Sequence, residues 1–145
     1  MNFIEFKCIL AYNVVKGGRI MLEFFEYSEV DGIASIYESH ITLNKIMLKF
    51  LKDAYRVRVA VNKEEGKIYI YPINKDYALS GQISENSLLK ISLASTYARV
   101  CSRPLIEYLS KIFNLTIEAK KYKRYKAIYD ESKKAIMIFM KEEIS

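Results

Sequence analysis

The stretch Tyr55-Arg56-Val57-Arg58-Val59-Ala60-Val61 puts Tyr55, Val57, Val59 and Val61 on one face and Arg56 and Arg58 on the other. A period of two is the mark of a half-buried strand. A polar turn over Asn62–Gly66 leads into Lys67–Tyr71, again β-branched and aromatic, and Pro72 closes what reads as a β-hairpin. The segment Tyr125–Phe139 has the same form without gaps. Val61-Asn62-Lys63 falls on Tyr129-Asp130-Glu131, and Ile68–Tyr71 falls on Ile136–Phe139.

The likeness extends upstream of each hairpin. A short strand, Ser39–Asn44, ends on Asn44, a residue suited to cap a helix, and Ile46, Met47, Phe50 and Leu51 then share one helical face. Before the second hairpin, Ala98–Ser102 ends on Ser102. Pro104 follows in a first helical turn, and Leu105, Leu109, Ile112 and Phe113 form the apolar face. The pattern predicts an α+β, strand-rich fold built as a tandem repeat of strand, short helix and β-hairpin. One copy buries too little apolar surface to stand alone, so the two are expected to share one sheet or barrel. The expected boundaries are 21–73 for the first repeat, 74–88 for a polar, turn-rich linker and 89–145 for the second repeat.

The stretch Val15–Met21, VKGGRIM, has glycines but lacks the GxxxxGK[ST] spacing of a phosphate-binding loop. Two readings fit it. Lys-Gly-Gly codons readily contain a purine-rich ribosome-binding sequence, so translation could begin at Met21. Residues 1–20 would then be a non-native extension, leaving 125 residues and a net charge of +4 once Lys7, Lys16, Arg19 and Glu5 are removed. Alternatively, a true strand precedes a Gly-Gly turn.

Composition narrows the function classes. A chain of 145 residues, 51% hydrophobic, buries about two thirds of its unfolded surface as one domain or two small fused ones. No apolar run approaches the roughly 18–20 residues of a membrane span, and the charged, glycine-containing start is unlike a secretory signal. A cytoplasmic location with no membrane association is the expectation. Cys8 and Cys101 lie far apart with no CxxC and only one histidine in the chain, so no metal site or cofactor is expected. The net charge of +6 and pI ≈ 9.2 point to a polyanionic partner. Lysine outnumbers arginine 17 to 6, and the usage of Ile, Lys, Tyr, Asn and Phe fits an AT-rich bacterial genome that itself supplies part of the lysine.

Strand, short helix and hairpin, twice over, resembles the AbrB/SpoVT swapped-hairpin family in a tandem, MraZ-like arrangement. That family's module carries a D-x-x-G-R turn and a proline before the helix. In the second copy Ser95, Ala98, Arg99 and Pro104 fall near those positions, with the proline one residue late; the first copy has neither Gly-Arg nor proline. The resemblance implies a swapped-hairpin or barrel-like fold and a DNA-binding regulator or antitoxin-like protein.

Several residues suit nucleic-acid contact. Lys120–Lys126 holds five cations, with Tyr122 and Tyr125 interleaved, so Lys121, Lys123, Arg124 and Lys126 can neutralise phosphates while the tyrosines stack on bases. Arg56 and Arg58 share a strand face that a two-stranded ribbon can present to a major groove. Arg99 and Arg103 flank the second helix start and complete the expected DNA-binding set. Against this stands a plain solvated surface whose lysines guard an edge strand. His40, the sole histidine, reads as a surface or satisfied strand residue, and Glu64, Glu65, Asp130 and Glu131 fall at hairpin tips; no catalytic residue and no enzyme is indicated. The expected function is a small DNA-binding transcriptional regulator, homo-oligomeric, docking on phosphates. The alternative is a protein-interaction or structural module of a mobile element or phage, with a protein partner and no nucleic-acid role.

Overall fold

The computed structural model describes residues 6–9, 22–27 and 31–144. The Gly17-Gly18 turn and the start at Met21 lie outside these. Strands β1 (Phe6–Ile9) and β2 (Phe24–Tyr27) pair antiparallel in a two-stranded sheet of their own. Eight further strands close into one antiparallel barrel. They are β3 (Gly32–Ile36), β4 (His40–Asn44), β5 (Arg56–Asn62), β6 (Lys67–Ile73), β7 (Leu89–Leu93), β8 (Tyr97–Cys101), β9 (Lys123–Asp130) and β10 (Ala135–Ile144), ordered β10-β6-β5-β7-β8-β4-β3-β9 around the circuit. The strand-rich, barrel-like expectation holds, but a hairpin rather than a single strand precedes each helix: β3–β4 before Lys45–Phe50, and β7–β8 before α2 (Arg103–Phe113).

Exchanging β3 with β7, β4 with β8, β5 with β9 and β6 with β10 returns the same circuit. The β6–β10 register shares this property. Tyr69 and Met137, 68 residues apart, face each other across β6 and β10, flanked by Ile68 opposite Ile138 and Ile70 opposite Ile136. The hairpin turns agree as well, because Gly66 and Lys134 occupy equivalent places and both have positive φ, 68° and 52°. Asn62 Oδ1 accepts from Glu65 N in one turn, and Asp130 Oδ1 accepts from Ser132 N in the other. The Ser132 hydroxyl bond, aided by the backbone N–H groups of Ser132 and Lys133, holds the Asp130 carboxyl below its ordinary pKa.

The barrel interior is filled by aliphatic side chains, as expected of eight strands. Ile36, Ile41, Leu43, Val57, Ile68, Ile70, Val100, Ile136 and Ile138 are fully buried, with Tyr125 and Ala127 from β9 among them. Each large aliphatic contributes about 1.5–3 kcal/mol on burial. The helices close the two ends. Since β4 and β8 are antiparallel, the helices that follow them leave opposite ends of the barrel, delivering Met47 and Leu51 from one and Ile106 and Leu109 from the other.

One local expectation is corrected. The helix after β4 is a 3-10 helix, and Asn44 does not cap it with its side chain. That amide is engaged elsewhere: Oδ1 accepts from Ile33 N at 2.9 Å and Nδ2 donates to the Asp31 carbonyl at 2.8 Å, tying β3 to β4. Ser102, by contrast, accepts from Leu105 N at 3.2 Å and caps α2 as expected. The stretch read as a polar linker contains α1 (Lys75–Ala78), and its Ala78 and Ile83 pack with Ile73 in a small satellite core.

Gly32, at the start of β3, lies where a Cβ would overlap the Ala127 carbonyl oxygen and come within 2.6 Å of Met47 Cε. The β3–β9 seam is thus closed at a point with no room for a methyl group. Gly32→Ala should destabilise the fold by about 1–3 kcal/mol, the cost of overpacking a tight contact. Urea unfolding checks this, and an unchanged midpoint would contradict it.

Candidate nucleic-acid interface

Alternation within the barrel strands sends every second side chain outward. On neighbouring strands the outward positions line up in rows. Arg124 on β9 lies opposite Ser35 on β3, Ser35 opposite Thr42 on β4, Thr42 opposite Arg99 on β8, and Arg99 opposite Ser92 on β7. Three interstrand steps of about 4.8 Å separate the two arginines, roughly 14 Å along the sheet. The hydroxyls of Ser35 and Thr42 fill the interval.

The Ser39 carbonyl accepts from Ser102 N, so Ser39 and Ser102 form a hydrogen-bonded pair. Counting along the ladder, His40/Cys101, Thr42/Arg99 and Asn44/Tyr97 are then non-hydrogen-bonded pairs, whose Cα atoms approach to about 4.5 Å. The outward side chains of β4 and β8 are therefore crowded together. They form the wall of an open depression of ≈ 520 Å³ that Ser35, Tyr37 and Thr96 complete.

Along one edge of this row runs a ladder of rings. Tyr37 stacks on His40 with centroids 4.3 Å apart and planes 15° from parallel, and on its other side Tyr122 lies 5.1 Å away. At the opposite edge Arg99 sits over the Tyr97 ring at 5.7 Å. The Arg99 Nε is shielded from solvent and has no hydrogen-bond partner among the described residues. Desolvation, and then the Arg99 charge, lower the His40 pKa, so the imidazole is neutral near pH 7. A face with two arginines, hydroxyl donors and stacked rings is suited to an anion carrying planar groups.

The sequence-selected cations do not gather into one patch. Arg99 and Arg124 share the row, and Lys126 follows on the same face of β9, beside a second depression lined by Asp31, Glu142 and Glu143. Lys121 pairs with Glu118 at 2.8 Å and Lys123 with Glu143 at 4.0 Å; such exposed pairs contribute little to stability but offset part of the positive charge at that end. Arg103 is exposed in the first turn of α2. Arg56 and Arg58 project from β5, beyond β7 from the row. Arg56 donates to the Tyr55 carbonyl at 2.9 Å and lies over the Tyr55 ring, and Arg58 faces Tyr71.

Ser35, Tyr37, His40, Thr42, Asn44 and Tyr97 were not in the expected set. Their signal is nonetheless present in SIYESHITLN, where Ser35 and Tyr37, then His40, Thr42 and Asn44, alternate with Ile36, Ile41 and Leu43. Among the described residues no group of three or more His, Cys, Asp or Glu is placed to hold a metal, and no helix is long and apolar enough to cross a membrane.

His40 allows a direct electrostatic measurement because it is the sole histidine. Its imidazole NMR signals should titrate with a midpoint below the ordinary value of about 6.5. With the folded-state pKa depressed, the unfolded chain takes up the proton first as the pH falls. The stability contribution is complete above about 6.5 and is lost below it. The difference in melting temperature between about pH 7.5 and 5.5 should accordingly shrink in His40→Gln.

Compared with protein-family models, with curated proteins and with solved structures, the chain matches none.

Proposed function

We propose that the protein is a nucleic-acid-binding module, acting as a DNA-binding regulator, that docks the phosphate backbone on the outer face of β9, β3, β4 and β8. The carrying observation is the Arg124–Ser35–Thr42–Arg99 row, which sets two guanidinium groups on one sheet face with hydroxyl donors between them. The net charge of +6 adds a long-range attraction for polyanions.

On the same proposal the chain is a duplicated unit of hairpin, helix and hairpin, interleaved in the manner of the swapped-hairpin family. Support comes from the circuit's invariance under exchange of the halves, from Tyr69 facing Met137, and from the matching positive-φ positions at Gly66 and Lys134.

A second reading, as a protein-interaction module, is favoured by the exposed apolar side chains Leu22, Phe24 and Phe25, which are 48%, 48% and 61% accessible. Its partner would be a protein with an apolar surface.

Salt dependence separates the two. Fluorescence anisotropy with a labelled DNA duplex between about 50 and 200 mM salt should show the logarithm of affinity falling linearly with the logarithm of salt. Joint substitution of Arg99 and Arg124 by alanine should reduce the slope by about 2, one unit for each phosphate no longer neutralised, whereas Arg56→Ala with Arg58→Ala should leave it near the parent value. Affinity independent of salt would refute phosphate docking, and an equal effect of the β5 pair would refute this face.

A further inference from the structure

The ring ladder has no role in docking a duplex, because paired bases are stacked on one another and offer a protein their edges rather than their faces. Here the rings flank the arginine row on both sides. Tyr122 ends the ladder with half its surface accessible (50%), and Tyr97 stands at the other edge at 38%. Tyr37 is held between His40 and Tyr122, which fixes the ladder against the sheet and leaves Tyr122 as its outer step. The depression between the two edges, ≈ 520 Å³, is within the range that takes a small organic group such as a nucleotide.

Building on the phosphate-docking reading, we propose that this face binds single-stranded nucleic acid, with phosphates on Arg124 and Arg99 and unpaired bases stacked on Tyr122 and Tyr97. Charge and ring positions both fit such a strand. The arginines neutralise successive stretches of backbone, the Ser35 and Thr42 hydroxyls hydrogen-bond between them, and the tyrosines accept any base because every base has a π-face. Binding is thus expected to depend on the presence of bases but only weakly on their sequence.

The test uses the full chain and three labelled probes over the same series of salt concentrations: a strand of about 20 thymidines, an abasic strand of the same length and charge, and a duplex of about 20 base pairs. The thymidine strand should bind tightest, at least about tenfold above the abasic strand. Tyr122→Ala and Tyr97→Ala should each weaken thymidine-strand binding by about tenfold, leaving abasic and duplex binding and the salt slope unchanged. Tyr122→Phe, which keeps the ring, should restore affinity and separates loss of stacking from loss of fold. Equal affinity for abasic and thymidine strands with salt-dependent duplex binding intact would overturn the stacking proposal alone. Absence of binding to all three probes would overturn phosphate docking together with it.

Discussion

Everything on the outer surface depends on closure of the barrel along β10. This strand pairs with β6 on one side and β9 on the other, and so joins the hairpin of the first half of the chain to that of the second. Ile68, Ile70, Ile136 and Ile138 lie beneath the seam with no accessible surface. Were it open, β6 and β10 would present unpaired backbone edges, an invitation to pair with other chains. Closure also fixes how far β9 slides past β3. That register sets Arg124 opposite Ser35 rather than opposite a neighbour on the other face, since a slip of one residue inverts every side chain. Gly32 helps to hold it, because the close approach to Ala127 is available to no larger residue.

The two hairpins were legible from local pattern because an alternation of β-branched residues around a polar turn is a short-range signal. Val57, Ile68, Ile70, Ile136 and Ile138 indeed point inward, and Arg58 is exposed. The helix of Arg103–Phe113 was equally readable, since Ser102, Pro104 and the apolar spacing are all contained within one segment. The first helix misled because Asn44 has two uses. A cap and a strand-to-strand tie both need an amide oxygen, and the tie to Ile33 also engages the amide nitrogen on the Asp31 carbonyl, which a cap does not. Tertiary context decided between two locally reasonable bonds.

The arginine row was not legible, for a different reason. Arg99 and Arg124 are brought together by two pairings, β3 with β9 and β4 with β8, whose partners are about 90 and 60 residues apart in sequence. No property of either strand alone states which partner it takes. Reading the basic segment Lys120–Lys126 as one unit concealed a division as well. Alternation sends Arg124 and Lys126 outward while Tyr125 becomes part of the core, where burial, and then the Glu143 carboxylate, push its phenol up to about 12. Of the two tyrosines in that segment, only Tyr122 remains at the surface.

The contrast between interior and face is the strongest physical reason to treat the face as specialised. Among the described residues, no polar or charged side chain other than the Tyr125 phenol is fully buried in the barrel core, and none there is left with an unsatisfied buried atom. On the outer face, Arg99 Nε is hidden from water without a partner among the described residues, a condition that costs about 1–3 kcal/mol, and more where the donor carries charge. Desolvation, and then the same arginine, act against protonation of the adjacent histidine. An anion held by the guanidinium would offset the Arg99 charge and its field at the imidazole. Among the described residues this unsatisfied donor coincides with the row of arginines, hydroxyls and stacked rings on which the docking proposal is built.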